Sequence, residues 1–225
     1  EALLLQSAEN YEKVISFNVD DYVPYRNYAE VLRNLSNLKN KKEDILPVLE
    51  KALKIVKKAV VLIGDYFDYD LFALLRVILS ETAFLSDKNT RIILNTEIKE
   101  LCEKLIEFDE EDFNNYYELG KSYYSLGNFE ENNGIKEKMF EKAIELFEIL
   151  VKKGITDIEI NYNFAVILKD YADLKTDKKE KSDLLKKSKK IIKKVIQEAE
   201  FNPSIDTSEF RSFFAYIEKE IKDLK

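Results

Sequence analysis

The chain has 225 residues, 45% hydrophobic and 35% charged, with 36 Lys plus Arg against 43 Asp plus Glu for a net charge of −7. That balance argues against general nucleic-acid binding, which needs a basic surface to neutralise phosphates. Five Gly and three Pro leave little material for tight turns, barrels or Gly-rich phosphate loops, so the composition points to helices.

The pattern repeats along the chain. The first element, residues 1–19, carries a helical apolar face with no helix before it and reads as half a repeat. The next four segments, 23–64, 69–110, 113–154 and 158–203, each read as helix A, a connection and helix B. The A helices align at Tyr28, Ala29 and Leu32; Leu74, Leu75 and Ile78; Leu119, Gly120 and Tyr123; Phe164, Ala165 and Leu168, successive shifts being 46, 45 and 45 residues. The B helices align at Val56, Leu101, Phe147 and Val195, with shifts of 45, 46 and 48. Asp70, Asp112 and Asp157 stand at A-helix starts and Asp44 at a B-helix start, while Gly64 and Gly154 stand where B helices should stop. The last element, 206–225, places Phe210, Phe214, Ile217, Ile221 and Leu224 on one face behind an Asp206/Glu209 capping box. It reads as a helix covering the open end of the array, and its apolar seam also offers a route to homo-oligomers.

Tyr116, Leu119, Gly120, Tyr123, Gly127 and Phe129, followed by Ala143 and Phe147, resemble the tetratricopeptide repeat. Ala29 and Ala165 keep that repeat's small residue, whereas Leu75 and Glu97 depart from it, and Pro203 matches its terminal proline. The resemblance spans about residues 23–203 and implies an all-α, right-handed α-α superhelix, a single solenoid domain of antiparallel hairpins with a C-terminal capping helix. HEAT-like hairpin arrays share the period. The usual tetratricopeptide unit has 34 residues; the surplus of about eleven lies between helices A and B, as longer helices or as loops along one edge.

Carried over residue by residue, the family's concave helix-A positions fall on Arg26, Glu30, Arg33 and Asn34; Phe72, Arg76, Leu79 and Ser80; Tyr117, Lys121, Tyr124 and Ser125; Tyr162, Val166, Lys169 and Asp170. The expected partner-binding groove is therefore Arg26, Arg33, Phe72, Arg76, Tyr117, Lys121, Tyr124, Tyr162 and Lys169, an aromatic and mildly basic lining for a peptide or protein segment. It lacks the Lys and Asn pattern of chaperone-tail carboxylate clamps. The opposing expectation is that these tyrosines pack against neighbouring helices.

No histidine occurs, which removes the commonest general base, proton shuttle and metal ligand together, and no nucleophile constellation emerges. The expectation is a non-enzymatic scaffold or adaptor with no cofactor and no metal. Asp65, Asp68 and Asp70 lie close together but lack the central glycine and terminal glutamate of a calcium loop. Cys102 falls on a buried face and reads as a core thiol. The B-to-A connections hold thirteen carboxylates and no Lys or Arg, so one edge should be strongly acidic. That edge and the cap suit a second reading, a structural subunit of a cell-envelope assembly; a small-ligand-binding helical protein is a third. No apolar run reaches the ~18 residues of a membrane span. The chain opens at Glu1 rather than Met, leaving room upstream for a signal, lipid anchor or further domain, and with it the choice between cytoplasmic and exported location.

Overall fold

The computed structural model describes residues 1–17, 19–155 and 157–224. Among these are ten helices and no strand: α1 (Ala2–Ser16), α2 (Val23–Ser36), α3 (Lys42–Ile63), α4 (Tyr69–Leu85), α5 (Lys88–Phe108), α6 (Phe113–Phe129), α7 (Asn133–Lys152), α8 (Ile158–Asp173), α9 (Lys178–Glu200) and α10 (Ser208–Asp223). They form two compact units, residues 1–110 and 111–225. Within each, sequence-adjacent helices pack as antiparallel hairpins, α2 on α3 and α4 on α5 in the first, α6 on α7 and α8 on α9 in the second.

Helix ends follow from local chemistry. Asp68, Asp87, Asp112 and Asp157 occupy N-cap positions and accept backbone N–H groups two or three residues on. Two expected starts are displaced: Asp70 lies inside the first turn of α4, and Asp44 inside that of α3, whose N-cap is Lys41. Both remain near the positive helix end, where a carboxylate is favoured without capping. Gly64 (φ 63°) and Gly154 (φ 80°) end α3 and α7 in a left-handed conformation that disfavours a Cβ. The expected Asp206/Glu209 box does not form, because α10 begins at Ser208; Asp206 accepts the Ser208 N–H, and Glu209 accepts the Tyr162 hydroxyl.

The surplus between A and B helices is helix. The B helices α3, α5, α7 and α9 run 22, 21, 20 and 23 residues, against 14 to 17 for the A helices, and the connections are short, such as 86–87 and 130–132.

Unit 1 closes around Tyr28, Leu49, Ala52, Val56, Leu71, Ile78, Ile98, Cys102 and Leu105, each essentially inaccessible. Unit 2 has two clusters. Ala143, Phe147, Leu150, Ile160, Phe164, Ile167 and Leu168 join α7 to α8, with Tyr116, Tyr117, Tyr123 and Tyr124 of α6 packed against them. Ala165, Ala172, Leu185, Ile192, Val195 and Ile217 join α8, α9 and α10, with Phe210, Phe214, Ile221 and Leu224 of the cap laid over them. The seam of α10 is thus spent inside its own unit.

Gly120 and Gly127 let α6 approach α7. A Cβ on Gly120 would stand 2.8 Å from the Phe147 ring, and one on Gly127 would stand 2.7 Å from the Phe140 ring. Both rings are fully buried and have no room to retreat.

Candidate functional site

The A helices of each unit are tied to one another by side chains one repeat apart. In unit 1 the Tyr22 hydroxyl donates to Asp68 at 2.6 Å across 46 residues, and the Arg33 guanidinium forks onto Glu81 at 2.7 to 3.1 Å across 48. In unit 2 Tyr117 donates to Glu159 at 2.6 Å across 42 residues and Tyr124 to Asp170 at 2.5 Å across 46, both linking α6 to α8. Tyr162 then donates to Glu209 at 2.6 Å across 47, linking α8 to α10. Asn163 adds an N–H donated to the Tyr117 oxygen at 2.7 Å. A second series runs between B helices, with Lys51 on Glu12, Lys57 on Glu97 and Lys187 on Glu148.

Of the expected groove residues, Arg26, Arg33, Tyr117, Tyr124 and Tyr162 belong to this ladder. Arg26 is half-buried, hydrogen-bonds to Asn27 and stands 3.6 Å from Asp68. Phe72 stacks on Phe67, ring centres 4.8 Å apart. Arg76 is 6% exposed, set inside unit 1 rather than presented to a partner. Tyr117 turns its ring edge to Phe147, and Tyr124 packs on Phe140 at 5.5 Å. Lys121 lies 4.6 Å over the Tyr117 ring and 3.0 Å from Glu118. Lys169 lies over Tyr216 and bonds Asp170 and Asp173 at 3.2 and 2.8 Å. Arg26 and Arg33 in unit 1, and Lys121 and Lys169 in unit 2, thus each have a carboxylate within 3.6 Å, so their charges are locally neutralised.

The protonation states follow from these contacts. Burial, then the facing Glu159, pushes the Tyr117 phenol well above its ordinary value; burial and Asp170 do the same to Tyr124, and burial and Glu209 to Tyr162. Burial would raise the Asp68 carboxyl, but the Tyr22 hydroxyl, the Leu71 N–H and Arg26 together hold it below the usual range. Burial would lower Lys169, yet Asp173 and Asp170 raise it and keep it charged.

Of the acid partners, Asp170 is one of the concave positions implied by the resemblance, whereas Asp68, Glu81, Glu159 and Glu209 lie outside them. Their signal is present in the sequence: a Tyr or Arg donor followed by an acid about one period later. At the acidic edge of unit 2 lies a cleft of about 420 Å³ lined by Glu111, Asp112, Phe113, Tyr117, Asp157 and Glu159. Its carboxylates are engaged in the fold: Asp112 and Asp157 cap helices, Glu159 takes the Tyr117 hydroxyl, and Glu111 pairs with Lys153 at 3.5 Å. Among the described residues no group of His, Cys, Asp or Glu side chains converges as a metal site, and no helix is long and apolar enough to cross a membrane.

No protein-family model matches the chain, and no curated protein matches it. Among solved structures, it is similar to the crystal structure of BtubC (BKLC) from P. vanneervenii, with a TM-score of 0.54 at 17% identity, over 99% of this chain and 83% of that one. A looser likeness is to YrrB, described as a TPR protein with an unusual peptide-binding site, with a TM-score of 0.35 at 19% identity over 82% and 93%. With its helical hairpins, this chain has a tetratricopeptide-like, all-α helical repeat fold.

Proposed function

We propose that the chain is a protein-interaction scaffold that holds a partner segment on the A-helix face of its repeats. The observation that carries this reading is the side-chain ladder of unit 2. It joins α6, α8 and α10 into one pre-organised surface bearing Tyr117, Lys121, Tyr124, Tyr162, Lys169 and Tyr216. A surface ordered before binding loses little entropy on contact, and rings backed by fixed hydrogen bonds supply area for an extended or helical segment.

Because Tyr117 and Tyr124 support the fold, the accessible members make the cleaner test. Tyr216 is 45% exposed and Lys121 is half-buried. Affinity capture from a native lysate followed by mass spectrometry should lose its specific partner with Tyr216→Ala combined with Lys121→Glu, while the helical circular dichroism stays that of wild type. Unchanged capture by the folded variant would remove the groove from the account.

A further inference from the structure

Unit 1 carries an exposed aromatic surface. Phe72 stacks on Phe67 at 4.8 Å, Phe67 meets Phe108 at 4.7 Å, and Phe108 meets Tyr69 at 5.6 Å. The outer ring, Phe108, is 65% exposed, and neighbouring Tyr66 is 67% exposed. Asp65, Asp70, Glu107 and Glu110 flank these rings and are exposed. Among the described residues no ion pair engages any of the four. In the same unit Arg26 is already held by Asp68, and Lys104 lies one turn before Phe108.

The same chain carries the complement. Along α9, Leu185, Ser188, Ile192, Val195 and Ala199 face inward. Lys179, Lys186, Lys190 and Lys193, spaced by seven, four and three, fall on the opposite, exposed side. Lys186 pairs with Asp183 at 3.1 Å, whereas Lys179, Lys190 and Lys193 are without ion pairs among the described residues. Phe201, 88% exposed, follows at the end of the stripe.

We infer that the ring-and-carboxylate edge of unit 1 receives the α9 lysine stripe of a second copy of this chain. Charge complementarity carries the choice of occupant: one surface presents carboxylates without ion pairs around the exposed rings of Phe108 and Tyr66, the other ammonium groups without ion pairs ending in the exposed ring of Phe201. Both carboxylates and ring faces attract an ammonium group. The molecule already uses this pairing, since Lys153 lies 5.6 Å over Phe113 while bonding Glu111, and Lys189 lies 5.3 Å over Phe214 while bonding Glu218.

Sedimentation velocity of the full chain across concentration and salt tests this. Self-association is expected at low ionic strength and should weaken as salt screens the contact. Lys190→Glu with Lys193→Glu, and separately Glu107→Lys with Glu110→Lys, should each weaken it by about tenfold or more. Mixing the two variants should restore association, because each keeps one intact surface and the reversed surfaces complement each other. A wild-type chain that stays monomeric at low salt overturns the proposal. So does self-association that neither variant disturbs, which would put the contact elsewhere. All four substituted positions are exposed, and helical circular dichroism confirms that each variant is folded.

Discussion

At the scale of single residues, close approach and buried hydroxyls set the sensitive positions. Gly120→Ala adds a methyl 2.8 Å from Phe147, a ring with no exposure. The gain of about 1 kcal/mol in helix propensity is outweighed by overpacking of about 1–3 kcal/mol. Urea unfolding should show a net loss for Gly120→Ala, and likewise for Gly127→Ala; a neutral result for both would contradict the packing described. The tyrosines make a prediction in alkali. Tyr171 donates to Glu141 at 2.7 Å and is pushed up to about 12 by burial, Lys175 opposing and Glu141 adding to the shift. Tyr117, Tyr124 and Tyr162 are raised as well. A phenol whose folded value lies above its ordinary 10.0 contributes stability that is intact below pH 10. That contribution is lost as pH climbs through the folded value. The tyrosinate absorbance of these four phenols should therefore develop late and coincide with loss of helix, and Tyr124→Phe should remove one late-titrating group at a cost of about 1 kcal/mol.

At the scale of elements, a carboxylate with three partners should matter more than one with a cap alone. Asp68 caps α4 through the Leu71 N–H, accepts the Tyr22 hydroxyl and faces Arg26, whereas among the described residues Asp157 accepts the Ile160 N–H alone. Asp157→Ala should cost about 1 kcal/mol by loss of the cap, and Asp68→Ala should cost more by denaturant midpoint. Equal costs would mean the Tyr22 link contributes nothing. The cap helix depends on Ile217, fully buried among Ala165, Leu185, Ile192 and Val195. Ile217→Ala should cost about 2–5 kcal/mol, with α10 losing amide protection first.

At the scale of the whole molecule, contacts concentrate within residues 1–110 and within 111–225. Unit 2 contains two core clusters and its own cap. A fragment of residues 111–225 should therefore keep a cooperative thermal transition and helical circular dichroism; an unfolded fragment would show that unit 2 depends on the rest of the chain.

Much of this was legible in the sequence because a repeat states its pattern several times. The 45-residue period, the inward positions of Ala143, Phe147 and Val195, and the buried thiol of Cys102 follow from apolar spacing, which the hydrophobic effect enforces regardless of partner. The stops at Gly64 and Gly154 follow from the conformational freedom of glycine. Only the tertiary structure decided that the surplus between helices is helix, since helix and loop share the same polar composition there. It also decided that Tyr117 and Tyr124 spend their hydroxyls on carboxylates of the next A helix, and Tyr162 on one of the cap helix α10. Helical periodicity tells which side of a helix a residue occupies, but a hydrogen bond between residues 42 to 47 positions apart exists only once packing has brought the two helices together.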